Sequence, residues 1–131
     1  MKRRLALTAA LLVSTLSHAG HADAAGGRCR QYEPLLAELA PKRGWDINRM
    51  SRIMYRESRC QPTVVNRRGG DSGLLQVHPI TWQFLSTKFG VPMSQMRPWL
   101  LDPANNVRAG VALCDFWRNA GRSCYAPWVV R

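Results

Sequence analysis

The stretch Trp45-Asp46-Ile47-Asn48-Arg49-Met50-Ser51-Arg52-Ile53-Met54-Tyr55-Arg56-Glu57-Ser58 decides how this chain is read. Met50, Ile53, Met54 and Glu57 fall at i, i+3, i+4 and i+7, so the pattern is a helix whose apolar stripe carries a carboxylate. Arg49, Arg52 and Arg56 are expected on the opposite side. A helix patterned for solubility alone would place the glutamate among the arginines. Desolvation and the C-terminal end of a helix dipole both disfavour a charged carboxylate. That is the setting a general acid needs; from local sequence alone, a buried ion-pair partner of a nearby arginine fits the same pattern.

Working outward, the N-terminus has the form of an export signal. Lys2, Arg3 and Arg4 precede an apolar run over 5–16, too short to span a bilayer. Ala22-Asp23-Ala24 fits a small-x-small cleavage site, with Ser17-His18-Ala19 a second candidate; the first predicts a signal peptide over 1–24 and a mature domain over 25–131. Cleavage removes Lys2, Arg3, Arg4 and Asp23 among charged residues, lowering the net charge from +11 to +9. The 107 residues from 25 to 131 suffice for one small domain with a single core. No stable membrane insertion is expected, and a monomer is.

Cys29, Cys60, Cys114 and Cys124 all lie in the mature part. An even count in a small exported chain predicts two disulfides, with three possible pairings. Zinc is disfavoured, because no C-x-x-C pair occurs and His78 is the only histidine after residue 24. No metal and no organic cofactor are expected.

The remaining pattern is mostly helical. Tyr32, Leu35, Leu36 and Leu39 predict a helix over 31–40, ended by Pro41 and Gly44. Turn formers crowd 61–76, where Pro62, Asn66, Gly69, Gly70 and Gly73 predict a Gly-rich loop or at most a small β-hairpin. Pro79 opens a helix expected to run to Phe89 and stop at Gly90. Asp102-Pro103 makes an N-cap and first-turn pair. The helix that follows carries Val107, Val111 and Cys114 and is expected to end near Gly121. The tail over 123–131 reads as aromatic and irregular.

The order of motifs after Glu57 narrows the function. Glu57-Ser58-Arg59-Cys60-Gln61-Pro62 leads through Asn66 to Asp71-Ser72-Gly73-Leu74-Leu75-Gln76-Val77-His78-Pro79, and later comes Asp102-Pro103-Ala104-Asn105-Asn106-Val107-Arg108-Ala109-Gly110. This set resembles the lysozyme-like superfamily, in particular the soluble lytic transglycosylase domain, over about residues 31–128. The resemblance implies a compact, mainly α, lysozyme-like single domain, disulfide-stabilised, with its cleft beside the Gly-rich loop. It implies a secreted or periplasmic enzyme, associated with the cell wall, that cleaves the β-1,4 bond between N-acetylmuramic acid and N-acetylglucosamine in peptidoglycan. Glu57 would be the acid and then the base, giving a 1,6-anhydro product. Gln76 and the peptide groups of Gly73, Leu74 and Leu75 would bind sugars, and Ser58 and Asn66 would support the glutamate or the substrate. From packing alone, Leu74, Leu75 and Val77 read as core.

The chain departs from that family in two places. The family's Ala-Tyr-Asn-Ala-Gly element, whose tyrosine approaches the glutamate, is missing, and Cys124-Tyr125-Ala126-Pro127-Trp128 stands in its place. Tyr125 and Trp128 are therefore the candidates for the cleft rim. The family usually has a small residue where this chain has Asp71. A second carboxylate holding water would turn the reaction into lysozyme-type hydrolysis; an aspartate there also suits a turn.

Strong positive charge predicts attraction to anionic cell-wall polymers as well as to glycan strands. Nucleic acid is not expected as a partner, since export and disulfides accompany no nucleic-acid module. The alternatives from other classes are a non-catalytic glycan-binding lysozyme-like module and a cationic antimicrobial protein. A carboxylate on an apolar helix face speaks for the enzyme.

Overall fold

The computed structural model describes residues 26–39 and 45–129. The proposed signal segment, the residues expected to end the first helix, and the last two residues lie outside this range. Six α-helices are present among the described residues: α1 Glu33–Leu39, α2 Ile47–Ser58, α3 Trp82–Phe89, α4 Met96–Leu100, α5 Pro103–Asn119 and α6 Ala126–Val129. Short 3-10 turns at Arg30–Tyr32, Pro79–Thr81 and Met93–Gln95 lead into α1, α3 and α4.

The helix ends follow from local chemistry. The Asp46 carboxylate accepts the Arg49 amide and caps α2, as the Asp102 carboxylate accepts the Asn105 amide and caps α5. Gly90 stops α3 in the left-handed region, as its position after Phe89 predicts. One feature is additional to the sequence reading and one corrects it. Residues 93–100 are helical, and the tail expected to be irregular closes in one helical turn, α6, packed on α5.

Helix α5 is the hub. It packs against α1, α4 and α6, while α1 also packs on α2. It buries Asn106, Val107, Ala109, Gly110, Ala112, Leu113 and Cys114. Gly110 is a point of close approach: a Cβ there would stand 2.5 Å from Leu75 Cδ1 and 3.2 Å from the Trp45 ring. The absence of a side chain lets the Gly-rich loop seat Leu75 directly on the helix.

The cysteines pair as Cys29–Cys60 and Cys114–Cys124. The first bridge ties the segment before α1 to the residue just past α2. The second ties α5 to the turn that leads into α6. The chain is thus a mainly helical domain stapled at both ends of its core, with no β-strand among the described residues.

Candidate active site

Glu57 lies in the last turn of α2, on the buried stripe formed by Met50, Ile53 and Met54. Its side chain is only 8% exposed. The stripe is as the periodicity predicts, but Arg56 does not remain on the far side. Its guanidinium turns back to Glu57 Oε1 at 2.9 Å and also donates to the carbonyl of Trp128. Adjacent helical residues do not share a face; a long arginine stem closes the gap. Arg56 therefore links the carboxylate to α6.

The chain leaves α2 through an unusual turn. Arg59 and Cys60 both adopt left-handed backbone, with φ of 52° and 64°. Such geometry costs about 1–3 kcal/mol per non-glycine residue and persists only where the surroundings impose it. Here the Cys29–Cys60 bridge and the Arg59 guanidinium, 4.6 Å over the Tyr55 ring, hold the turn. Ser58 is buried and donates its hydroxyl to the Met54 carbonyl within the same helix.

The Gly-rich loop is ordered by its own polar groups. Asn66 accepts from the amides of Arg68 and Gly69 through its side chain. Its backbone amide donates to Asp71 O, and isolated antiparallel bridges join Val65 to Ser72 and Ser72 to Val77. Asp71 points inward, with a side chain 6% exposed and Oδ1 3.9 Å from His78 Nε2.

Asn106, within the Asp102–Gly110 sequence element, anchors the next turn. It is fully buried. Its side chain donates to the carbonyls of Ser72 and Leu100 and accepts the Leu75 amide. Gly73, Leu74 and Leu75 are consequently buried against α5. Gln76 follows with φ of 47°, and its side-chain amide donates to the carbonyls of Val64 and Gly73.

A cleft of about 270 Å³ opens on the far side of this turn. Its walls are Gln76, Val77, His78, Ile80 and Thr81 from the loop and α3 entry, Leu113 and Trp117 from α5, and Pro127 and Trp128 from α6. Trp128 Nε1 donates to Leu75 O, fixing its ring between core and cleft. Trp117 is a wall residue that the sequence reading did not single out. Its signal was present, since it follows Leu113 by one helical turn.

Of the expected site residues the structure thus brings Gln76 and Trp128 to the cleft wall; Ser58, Asn66, Asp71, Gly73, Leu74 and Leu75 do not line it, and Glu57, also outside the lining, is linked to that wall through Arg56. Tyr125 goes elsewhere. Its hydroxyl accepts the Asp46 amide at 2.8 Å, and its ring lies 3.9 Å under the Arg49 guanidinium. Asp46 caps the start of α2 and Glu57 lies near its end, eleven residues on, so at 1.5 Å per residue the two are roughly 16 Å apart.

A disulfide-stapled helical domain with a recessed glutamate at a helix end, a Gly-rich loop and an adjoining cleft is a lysozyme-like domain. Its residues 35–121 match the family model of the transglycosylase SLT domain. The chain belongs to that family, whose substrate is peptidoglycan. Comparison with curated proteins and with solved structures found no match.

Proposed function

We propose that this protein is an exported lytic transglycosylase cutting the β-1,4 bond between N-acetylmuramic acid and N-acetylglucosamine. The observation that carries the proposal is Glu57: a recessed carboxyl at the end of α2, tied through Arg56 to a wall of the cleft. In its acid form Glu57 gives its proton to the glycosidic oxygen as the C1–O bond breaks. The resulting carboxylate then takes the proton of the muramoyl C6 hydroxyl. That oxygen bonds to C1, closing a 1,6-anhydro ring without consuming water. Trp117 offers the sugar aromatic surface, while Gln76 and Trp128, held by bonds to backbone carbonyls, shape the wall beside it.

Export is consistent with both disulfides and with the predicted leader. No helix of the described residues is long and apolar enough to cross a membrane. On this reading Asp71 is a loop residue, its side chain turned inward toward His78, and the water-holding role in a hydrolase is the alternative that its substitution tests.

The test is fragment release from purified peptidoglycan, read by mass. Wild-type protein should yield anhydro ends, and Glu57→Gln should lose about 10²–10⁴-fold in rate with its melting temperature nearly unchanged. Equal release by both proteins would remove Glu57 from the mechanism. Reducing ends that disappear in Asp71→Asn would replace transglycosylation with hydrolysis.

A further inference from the structure

Behind one wall of the cleft lies a second groove of about 530 Å³, lined by Arg49, Trp117, Arg122, Ser123, Ala126 and Val129. We infer that it is a carboxylate subsite that receives the peptide substituent of the substrate strand. The inference rests on the peptidoglycan reading above and extends it from the sugar to the stem peptide.

Among the described residues the groove has two guanidiniums, a hydroxyl and no acidic side chain. Each cation is positioned by a ring: Arg49 lies 3.9 Å over Tyr125 and Arg122 lies 5.0 Å over Trp117. Neither meets a carboxylate among the described residues. Ring stacking leaves the edges of a guanidinium, where its N–H donors lie, available to a planar carboxylate. Ala126 and Val129 add a small apolar surface, and Val129 is 59% exposed. Two cations beside small aliphatic groups suit a carboxylate that carries a methyl, as the alanyl end of a stem peptide does.

Location supplies the second argument. Trp117 lines both the cleft and the groove. Helix α6 divides its residues between them: Pro127 and Trp128 face the cleft, Ala126 and Val129 the groove. A single short helix thus separates sugar from carboxylate. A helix with its side chains is about 10 Å across. A stem of four or five extended residues reaches about 13–17 Å, enough to cross it.

Two measurements test this. The first compares peptidoglycan with glycan stripped of its peptides, using wild type and Arg49→Gln/Arg122→Gln. The double variant should raise KM about tenfold on stem-bearing glycan and leave kcat and the stripped substrate unaffected. Equal losses on both substrates, or none on either, would overturn the subsite. The second titrates N-acetyl-D-alanyl-D-alanine and its C-terminal amide into Glu57→Gln protein, following the Trp117 indole N–H by NMR. The free acid should shift that signal and the amide should not, and the double variant should abolish the shift. Equal responses to acid and amide, or no response to the acid, would sink the proposal. This titration needs no turnover, so the subsite stands or falls separately from the enzymatic reading.

Discussion

Asn106 and Gly73 meet at the point where the two sequence elements of the domain interlock: a Cβ on Gly73 would stand 2.1 Å from Asn106 Nδ2. The asparagine reaches out of α5 and takes up two carbonyls and one amide of surrounding backbone. The glycine leaves room for it. Gly73 also sits at φ +78° with the Leu100 carbonyl 2.3 Å from the same missing Cβ. The contact holds the turn that leads into Gln76, a residue of the cleft wall.

Gly73→Ala should therefore be severely destabilising, by about 3 kcal/mol or more, through steric clash and left-handed backbone strain together. For a domain of this size that corresponds to a fall in Tm of about 12 °C or more, measurable by thermal denaturation. Gly90→Ala is the control. It shares the positive φ but has no neighbour within 4 Å of the added atom, so its loss should be clearly smaller.

Asn106→Ala strips hydrogen bonds from three buried backbone groups and should cost about 3 kcal/mol. Because Asn106 is one of the atoms Gly73→Ala collides with, the two substitutions should couple. In a double-mutant cycle the glycine change should cost at least about 1 kcal/mol less in the Asn106→Ala background. Part of its cost should persist, since the Leu100 carbonyl remains. Full additivity in urea denaturation would refute the steric account.

These contacts show what kind of information each level of description holds. The Asp102–Gly110 element is visible as a motif, and its Asp-Pro start is explicable from capping rules alone. The importance of Asn106 is not, because its partners lie at Ser72, Leu75 and Leu100, outside any local window. Gly110 likewise reads as a weak helix residue until Leu75 is seen against it.

The two disulfides should differ in worth. Cys29–Cys60 closes a separation of 31 residues and Cys114–Cys124 one of 10. Chain-entropy estimates give about 3.7 and 2.7 kcal/mol respectively. Cys29→Ser/Cys60→Ser should thus lose more stability in denaturant titration. It should also lose more activity in the fragment-release assay, because that bridge holds the left-handed turn directly after Glu57. A larger activity loss from Cys114→Ser/Cys124→Ser would argue against a link between the turn and the site.

Acid should weaken the junction of α1 and α2. Burial raises the Glu33 carboxyl, but hydrogen bonds from Arg28 and Ser51 and the nearby charges of Arg28 and Arg30 outweigh it, so the group lies below its ordinary value of 4.5. Arg28 approaches Glu33 Oε1 at 2.6 Å and 2.9 Å. A depressed folded-state carboxyl stabilises fully above its unfolded value and loses that contribution as pH falls through the folded one. Stability should decline below about pH 4.5, and Glu33→Gln should flatten that part of the profile. An unchanged acid limb in the variant would assign the decline to other carboxylates.

The sequence by itself determined helices α1, α2, α3 and α5, the caps of α2 and α5, the stop of α3, the even set of cysteines, and a glutamate on an apolar stripe. Each depends on spacing within a few residues, which helix geometry and capping chemistry translate directly. Tertiary structure alone decided the disulfide pairing, the return of Arg56 onto Glu57, the placement of Trp117 and Trp128 in the cleft wall, and the removal of Tyr125 to the far end of α2. Those outcomes depend on which surfaces pack across long separations. Nothing within one segment encodes the direction from which its partner arrives.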